Sequence, residues 1–164
     1  MAYGHNTRAG AMAEVANRFF DRMIYLQIKN NGISMADIEK SASLFIIGNN
    51  PGISVEGLIQ AQTRTTPRTM LDYQTGFIMK GLGELKSLGL VEQQDMKLSL
   101  TGLGREFRSF LRDKDAVELW LGSIEYPEGS DAAQIKTNMA KLKEFIEVVE
   151  DFISVRLKDS RRRD

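Results

Sequence analysis

The chain has 164 residues, 22 basic and 22 acidic side chains, no cysteine and a single histidine. This length suffices for one hydrophobic core, and the absence of cysteine excludes disulfides and thiolate metal sites. No apolar run approaches the roughly 20 residues needed to cross a bilayer, and the N-terminus lacks the apolar segment of a signal peptide. We therefore expect a soluble, cytoplasmic protein.

Residues 1–10 are polar and are predicted to form a flexible tail, in which His5 is an ordinary residue rather than a ligand or base. From Met12 onward, apolar residues recur at steps of four and three. This spacing predicts an amphipathic helix from about Ala11 to Lys29 that packs on another helix. Asn30-Asn31-Gly32 is expected to end it.

A second helix is predicted over residues 34–48, with Ser34 as its N-cap. The turn cluster Asn49-Asn50-Pro51-Gly52 separates it from the next helix. That short helix should begin after Ser54, whose side chain can accept a hydrogen bond from the first helical turn, with Glu56 where a negative charge suits the helix dipole.

A longer helix is predicted to start at Thr66-Pro67, where a side-chain acceptor precedes the residue that tolerates the first helical position. Gly89 lies just past its end, where a left-handed backbone is needed. Apolar residues recur between them at helical spacing: Leu71, Ile78, Leu82, Leu85 and Leu88. Gly81 and Gly83 lie inside this stripe, so close helix packing explains them better than a phosphate-binding loop.

Two short alternating segments come next, Leu90–Glu92 and Lys97–Leu100, and the polar residues between them predict a β-hairpin. Thr101 can cap the next helix. The apolar residues of that helix are Leu103, Phe107, Phe110 and Leu111. The pattern resumes over residues 116–121 and stops at Tyr126-Pro127-Glu128-Gly129.

Ser130 can cap a last helix, which has the most regular apolar spacing in the chain. Its seam steps by four and three through Ile135, Met139, Leu142, Ile146, Val149 and Ile153. We predict that this seam forms a homodimer interface with Met12, Phe19 and Met23, because apolar stripes left in water forfeit about 25 cal/mol per Å². The alternative is that the first and last helices pack on each other within one monomer.

The middle of the chain resembles the MarR family of winged helix-turn-helix transcriptional regulators. The segments that carry the resemblance are Asn50-Pro51-Gly52-Ile53-Ser54, Gly89-Leu90-Val91-Glu92 and the passage over residues 98–104. The resemblance implies a mainly α fold with a small hairpin wing. It assigns residues 34–102 to the winged helix-turn-helix domain, residues 11–33 and 103–157 to a dimerisation lobe, and residues 158–164 to a flexible charged tail.

The resemblance also implies that the helix after Pro67 enters the major groove of double-stranded DNA while the wing lies over the minor groove. The residues that it assigns to DNA contact are Arg64, Thr65, Thr66, Arg68, Thr69, Asp72, Tyr73, Lys80 and Lys97. Arg68 suits bidentate reading of a guanine, whereas the residues before Pro67 suit phosphate oxygens. Basic residues outnumber acidic ones between Thr63 and Lys80, although the whole chain is neutral.

Two departures from the family pattern bear on this assignment. The stretch from Thr66 to Gly89 is about two helical turns longer than the family's recognition helix, and we expect an extended helix rather than an inserted loop before Thr75. With a loop, the groove residues would shift toward Thr75, Phe77 and Lys80. The wing is short and lacks arginine, so Lys97 is at best a phosphate contact.

Many members of this family release DNA when a small aromatic ligand binds between the dimerisation lobe and the winged core. The residues that could line such a pocket are Phe19, Phe20, Met23, Tyr25, Phe45 and Trp120. The alternative, ordinary core residues, is favoured by the pattern alone, since apolar side chains at helical spacing usually pack together. Neither a cofactor nor a metal ion is expected.

The resemblance predicts a homodimeric, sequence-specific transcriptional repressor of the bacterial cytoplasm. It would bind a pseudo-palindromic operator whose half-sites lie about 34 Å apart. The alternative is a winged-helix scaffold that binds proteins rather than specific DNA, which the neutral charge and short wing would fit. An enzyme is not expected, because the sequence contains no catalytic motif and its one histidine lies in the tail.

Overall fold

The structure is a computed structural model that describes residues 8–29 and 35–162. Side chains are described throughout these ranges except at Ala9, Leu26, Gln27, Met35 and residues 149–162. The tail residue His5, the predicted break at Asn30-Asn31-Gly32 and the predicted cap Ser34 lie outside the described residues.

The prediction of a mainly α fold is confirmed for the described residues, which also contain a small antiparallel sheet. The helices and strands are α1 Arg8–Phe19, α2 Asp21–Ile28, α3 Met35–Asn49, β1 Ile53–Ser54, α4 Val55–Thr63, α5 Leu71–Ser87, β2 Val91–Gln94, β3 Lys97–Leu100, α6 Gly102–Arg112, α7 Lys114–Gly122 and α8 Ala132–Arg162. A 3₁₀ turn, Arg68–Met70, precedes α5. Among the described helices, none combines the length and apolar character needed to cross a membrane.

The N-terminal helix is interrupted, which corrects the prediction of one continuous helix over residues 11–29. α1 ends at Phe19 and α2 begins at Asp21, while backbone hydrogen bonds bridge the interruption from Phe20 N to Ala16 O (2.9 Å) and from Ile24 N to Phe20 O (2.8 Å). Consecutive residues of a regular helix point about 100° apart. The adjacent rings of Phe19 and Phe20, whose centroids are 4.6 Å apart, are both buried in the same core.

The predicted N-caps of α4 and α6 are confirmed. Ser54 Oγ accepts a hydrogen bond from the backbone N–H of Gly57 (2.9 Å), and Thr101 Oγ1 accepts one from that of Gly104 (3.0 Å). In each case a side-chain oxygen satisfies an N–H group that has no partner within the helix.

The predicted cap of α8 is wrong. α8 begins at Ala132, and the carboxylate of Asp131 accepts the hydrogen bond from the backbone N–H of Gln134 (3.2 Å). Ser130 instead donates its hydroxyl to the backbone oxygen of Pro127 (2.7 Å). Ser130 therefore closes the preceding turn, and the carboxylate takes the cap position, where its negative charge also suits the helix dipole.

Gly89 ends α5 as predicted, with a φ of +75°. The backbone N–H of Leu90 donates to the oxygen of Leu85 (3.0 Å), and that of Gly89 donates to the oxygen of Lys86 (3.0 Å). This pair of hydrogen bonds is a Schellman motif, which needs a left-handed residue at the position of Gly89. The chain turns away from the helix axis at this point and enters β2.

The predicted hairpin is confirmed, and it lies in a three-stranded sheet of order β1-β3-β2. Val91 pairs with Leu100, and Ile53 of the short strand β1, which the sequence does not predict, pairs with Leu98. Asp95 and Met96 form a two-residue turn and both have positive φ, 50° and 70°. Such turns match the twist of paired strands but favour glycine or asparagine.

The seam of α8 belongs to the core of a single chain. The members of the predicted dimer interface whose side chains are described are all buried: Met12, Phe19, Met23, Ile135, Met139, Leu142 and Ile146. α8 packs on α2, α3 and α7, and these helices cover it. The assignment of these seven residues to a dimer interface is therefore wrong. Val149 and Ile153 lie outside the described side chains.

Candidate nucleic-acid interface

The residues predicted to contact DNA lie on the surface. We call residues 64–73 the entry segment, because they lead from α4 into α5. Within it Thr66 is half-buried, and the other predicted contacts, Arg64, Thr65, Arg68, Thr69, Asp72 and Tyr73, are exposed. Lys80 in α5 and Lys97 in β3 are exposed as well. All nine predicted contacts are thus accessible to a partner.

Pro67 shapes the entry segment. The predicted helix start at Pro67 is four residues early, since Pro67 has an extended backbone (ψ 145°) and α5 begins at Leu71. The oxygen of Pro67 accepts a hydrogen bond from Met70 N (2.9 Å), which closes the 3₁₀ turn that contains Arg68. From Leu71 the helix is unbroken to Ser87, so it is shorter than the predicted extended helix by residues 67–70, and no loop interrupts it before Thr75.

One stripe of α5 faces away from the core. The buried residues of this helix are Gln74, Ile78, Gly81, Leu82 and Leu85. The exposed residues Tyr73, Gly76, Lys80, Gly83 and Ser87 recur at steps of three and four on the opposite side. We call these five residues the outer stripe. Two of the five are glycines, which lie on either side of Lys80 and leave the helix backbone uncovered there.

The glycines of α5 divide into two kinds. A Cβ atom at Gly81 would lie 3.2 Å from Cα of Lys40 in α3, so the prediction of close helix packing is confirmed there. It is wrong for Gly83, since a Cβ atom at Gly83 or at Gly76 would meet nothing within 4 Å. Glycine inside a helix costs about 0.5–1 kcal/mol relative to alanine. Both outer glycines therefore carry a cost that no contact within the described residues explains.

A buried polar cluster contacts the side of α5 that faces the core. This cluster was not predicted from the sequence. Glu39 of α3 is fully buried, and its carboxylate accepts hydrogen bonds from the side-chain amides of Gln62 in α4 (2.8 Å) and Gln74 in α5. Gln62 in turn accepts a hydrogen bond from the hydroxyl of Ser43 (2.9 Å). One carboxylate thereby links three helices. A buried network of this kind rigidifies the elements that it joins.

A second contact, between a buried lysine and a half-exposed carboxylate, holds the other end of α5. Lys40 is buried, its Nζ lies 3.2 Å from the Glu84 carboxylate, and it donates a hydrogen bond to the backbone oxygen of Phe19. The ammonium also lies 4.8 Å from the centre of the Phe19 ring. Lys40 belongs to α3, Glu84 belongs to α5 and Phe19 is the last residue of α1. This lysine therefore links the three helices. The outer stripe is therefore carried by a helix that is anchored near both ends.

The hairpin is linked to the last turn of α5. Lys86 Nζ donates a hydrogen bond to the side-chain oxygen of Gln93 in β2 (2.5 Å). At the hairpin tip, Met96 is 64% exposed and is the largest apolar side chain there. Lys97 is the hairpin's basic residue, beside the acidic Asp95. With Glu92 and Asp95 against Lys97, the hairpin carries a net charge of −1, and its tip combines a carboxylate with an apolar side chain.

In comparisons with known protein families, with curated proteins and with solved structures, nothing matches this chain. The entry segment, the outer stripe and the hairpin are therefore interpreted from their own chemistry.

The residues predicted to line an aromatic ligand pocket mostly pack against one another in the core. Of the six residues assigned to it, Phe19, Phe20, Met23, Phe45 and Trp120 are core residues, and Tyr25 is 57% exposed. The Phe20 and Trp120 ring centroids are 5.5 Å apart, and Trp120 Nε1 donates to Asn17 Oδ1 (2.8 Å). These side chains fill the space between the helices, in agreement with the alternative interpretation as ordinary core residues.

Proposed function

We propose that this chain is a winged helix-turn-helix protein of the MarR type that binds double-stranded DNA as a homodimer and represses transcription. In this proposal α4 and α5 are the helix-turn-helix, and the hairpin of β2 and β3 is the wing. The entry segment and the outer stripe enter the major groove. The order of elements from α3 to β3 supports the proposal, because a helix, a helix pair and a hairpin follow one another along the chain.

The observation that carries the proposal is the contrast between the two sides of α5. Its back is anchored by Glu39 and Lys40, whereas its start and outer stripe are exposed. A helix is about 10–12 Å across with its side chains, and the major groove is about 12 Å wide. A rigid, projecting helix loses little conformational entropy when it enters that groove.

The side chains of the entry segment have the chemistry that DNA recognition requires. Arg68 is exposed and has the planar donor group that reads guanine bidentately. Thr69 and Tyr73 add hydroxyl groups, and Lys80 adds a cation further along the outer stripe. Gly76 and Gly83 allow a close approach of the DNA to the helix backbone. This role explains why two residues that lower the stability of the helix lie on its exposed side.

The homodimer requires a surface other than the buried seam. Exposed apolar side chains lie on three helices of the chain's two ends: Tyr25 on α2, Leu119 on α7 and Val148 on α8. α8 has 31 residues and extends well beyond Ile146, the last of its buried seam residues whose side chain is described. We propose that the dimer forms through these exposed positions and the end of α8, which sets the two α5 helices about 34 Å apart for successive major grooves.

The decisive experiment is selection of bound sequences from random duplex DNA, followed by fluorescence anisotropy at several salt concentrations. We expect a pseudo-palindromic consensus with half-sites one helical turn apart and an affinity that falls steeply with salt. An absence of sequence enrichment together with an affinity that does not change with salt would contradict the proposal.

The second candidate is a winged-helix scaffold that binds another protein. It is favoured by four exposed apolar side chains in the entry segment and α5, namely Met70, Leu71, Tyr73 and Met79. Exposed apolar side chains that cluster mark interaction surfaces. The salt titration separates the two candidates, because protein binding through apolar contacts shows little of the counterion release that accompanies DNA binding.

A further inference from the structure

The exposed surface at the start of α5 has an apolar side. Met70, Tyr73 and Phe77 are separated by three and four residues, so they lie along one side of the helix and of the 3₁₀ turn before it. Met70 is 51% exposed, Tyr73 is 69% exposed and Phe77 is half-buried. We call these three residues the apolar ridge. It lies beside the outer stripe and shares Tyr73 with it.

Contacts within the chain position the apolar ridge. The rings of Tyr73 and Phe77 form a pair whose centroids are 6.5 Å apart and whose planes are inclined by 41°. At this separation aromatic rings attract one another. Met70 has a right-handed backbone (φ −106°, ψ −1°), and its N–H donates to the oxygen of Pro67 (2.9 Å). The Tyr73 ring and the Met70 backbone are therefore held in place without a partner.

Cations flank the apolar ridge along the chain. Arg68 precedes Met70 by two residues, Lys80 follows Phe77 by three, and both are exposed. Asp72 is the one acidic residue between Arg68 and Lys80. An apolar surface between two cations is complementary to a polyanion that also carries apolar groups. Duplex DNA is such a partner, because it combines phosphates with the C5-methyl groups of thymine in the major groove.

The entry segment and α5 offer no exposed carboxamide that could read adenine. Asparagine and glutamine are the side chains that recognise adenine through two hydrogen bonds. Between Arg64 and Ser87 the one residue of this kind is Gln74, which is buried and donates its amide to the carboxylate of Glu39. An A·T pair also presents the thymine methyl group in the major groove, and apolar side chains recognise it by contact. The apolar ridge supplies such side chains.

We propose that the apolar ridge reads thymine through its C5-methyl group, with Tyr73 as the residue that determines this specificity and Met70 beside it. This inference rests on the proposed DNA-binding function and adds the base that the ridge selects. Arg68 selects guanine by hydrogen bonds, whereas the ring of Tyr73 selects thymine by contact. The five residues from Arg68 to Tyr73 cover about 8–10 Å at about 1.5–2.0 Å per residue. This length is about two to three base-pair steps, so the thymine lies within about three base pairs of the guanine.

The test uses the full chain and a duplex selected from random DNA. Each thymine of one half-site is replaced in turn by deoxyuridine, which lacks the methyl group but keeps every hydrogen-bonding group of the base. Fluorescence anisotropy measures the dissociation constant of each duplex. At one or two thymines near the guanine, we expect the replacement to weaken binding about fourfold, which is about 0.8 kcal/mol at about 1.4 kcal/mol per tenfold. Burial of one methyl-sized group contributes about this free energy.

Variants of the chain assign this difference to the apolar ridge. In Tyr73→Ala the thymidine and deoxyuridine duplexes should bind within about twofold of each other, because the methyl group has lost its contact. Tyr73→Phe keeps the ring and should keep the fourfold difference. Tyr126→Ala, at another exposed tyrosine that lies after α7, is the matched control and should keep it as well. If Tyr73→Ala binds too weakly for the comparison, Met70→Ala decides and should reduce the difference.

The inference is overturned if deoxyuridine has no effect at any thymine, or if the fourfold difference persists in Tyr73→Ala. Loss of the difference in Tyr73→Phe assigns it to the hydroxyl group and overturns the contact with the ring. Each of these results leaves the proposed function intact, provided that the selected duplex still binds with a steep dependence on salt. An absence of any selected sequence overturns both the function and the reading of thymine.

Discussion

Gln74, at the end of the first turn of α5, donates its side-chain amide to the carboxylate of Glu39, a fully buried residue of α3. Gln62 of α4 donates to the same carboxylate (2.8 Å). The two helices proposed to form the helix-turn-helix are thus held by one acceptor from a third helix. The direction in which α5 projects depends on this acceptor.

Replacement of this acceptor should loosen the helix pair. In Glu39→Leu, the amide of Gln74 loses its partner inside the core, whereas the amide of Gln62 keeps the backbone oxygen of residue 39 (3.1 Å). An unsatisfied buried donor costs about 1–3 kcal/mol, so we expect the free energy of unfolding in urea to fall by about that amount. Glu39→Gln keeps one acceptor oxygen and should cost less. Equal stability of Glu39→Leu and the unchanged protein would show that the cluster does not support the fold.

Arg68→Ala should weaken binding to the selected operator by about 1–3 kcal/mol without changing the melting temperature. Arg68 is exposed in the 3₁₀ turn, so its removal leaves no cavity. Fluorescence anisotropy measures the affinity, and Arg22→Ala, an exposed arginine on α2, is the control. Unchanged operator affinity in Arg68→Ala would reject the role assigned to this side chain.

Met96→Gly should raise the free energy of unfolding by about 1 kcal/mol. Met96 has a φ of 70° at the hairpin tip, and the left-handed region costs a residue with a Cβ atom about 1–2 kcal/mol. Asp95→Gly, at a φ of 50°, should gain less, because aspartate tolerates this region better than methionine. Urea denaturation compares the two variants. A larger gain at Asp95 would contradict the explanation from backbone strain.

The two kinds of glycine in α5 predict opposite effects of alanine. Gly83→Ala should raise the free energy of unfolding by about 0.5–1 kcal/mol, since the added Cβ atom meets nothing within 4 Å. Gly81→Ala should lower it, because the same atom would lie 3.2 Å from Cα of Lys40. Thermal and urea unfolding measure both. Similar effects of the two substitutions would mean that α5 does not pack on α3 through Gly81.

Leu142→Ala should lower the free energy of unfolding by about 2–5 kcal/mol, because Leu142 is fully buried within the chain. The loss should not depend on protein concentration, as it would if the side chain lay in a dimer interface. Lys141→Ala, at an exposed side chain on the same helix, is the control. A loss that disappears at high protein concentration would restore the seam as an intermolecular contact.

Much of the local structure was predictable from short stretches of sequence. Ser54, Thr101 and Gly89 act at helix ends through hydrogen bonds that span at most five residues, so the residue types nearby suffice to predict them. Strand β1 was not predicted, because its two residues are too few to show an alternation of apolar and polar side chains. Asp131 was missed because Ser130 beside it has a similar capping preference.

The candidate site was only partly predictable. The exposed entry segment follows from its polar composition, and all nine residues assigned to DNA contact lie on the surface or at its edge. The buried hydrogen bonds of Glu39 that support this segment were not predictable. Glu39 is 23 residues from Gln62 and 35 residues from Gln74, and a contact over such separations leaves no periodic signal in the chain.

The sequence by itself determined which segments are helical, where most of them end, and which of their residues are apolar, because these properties depend on neighbouring residues. Only the tertiary structure decided what covers each apolar face. The stripe at Ile135, Met139 and Leu142 has the same period whether a second copy or the chain's own helices cover it. The connections between helices, rather than the stripe, place α2, α3 and α7 against it.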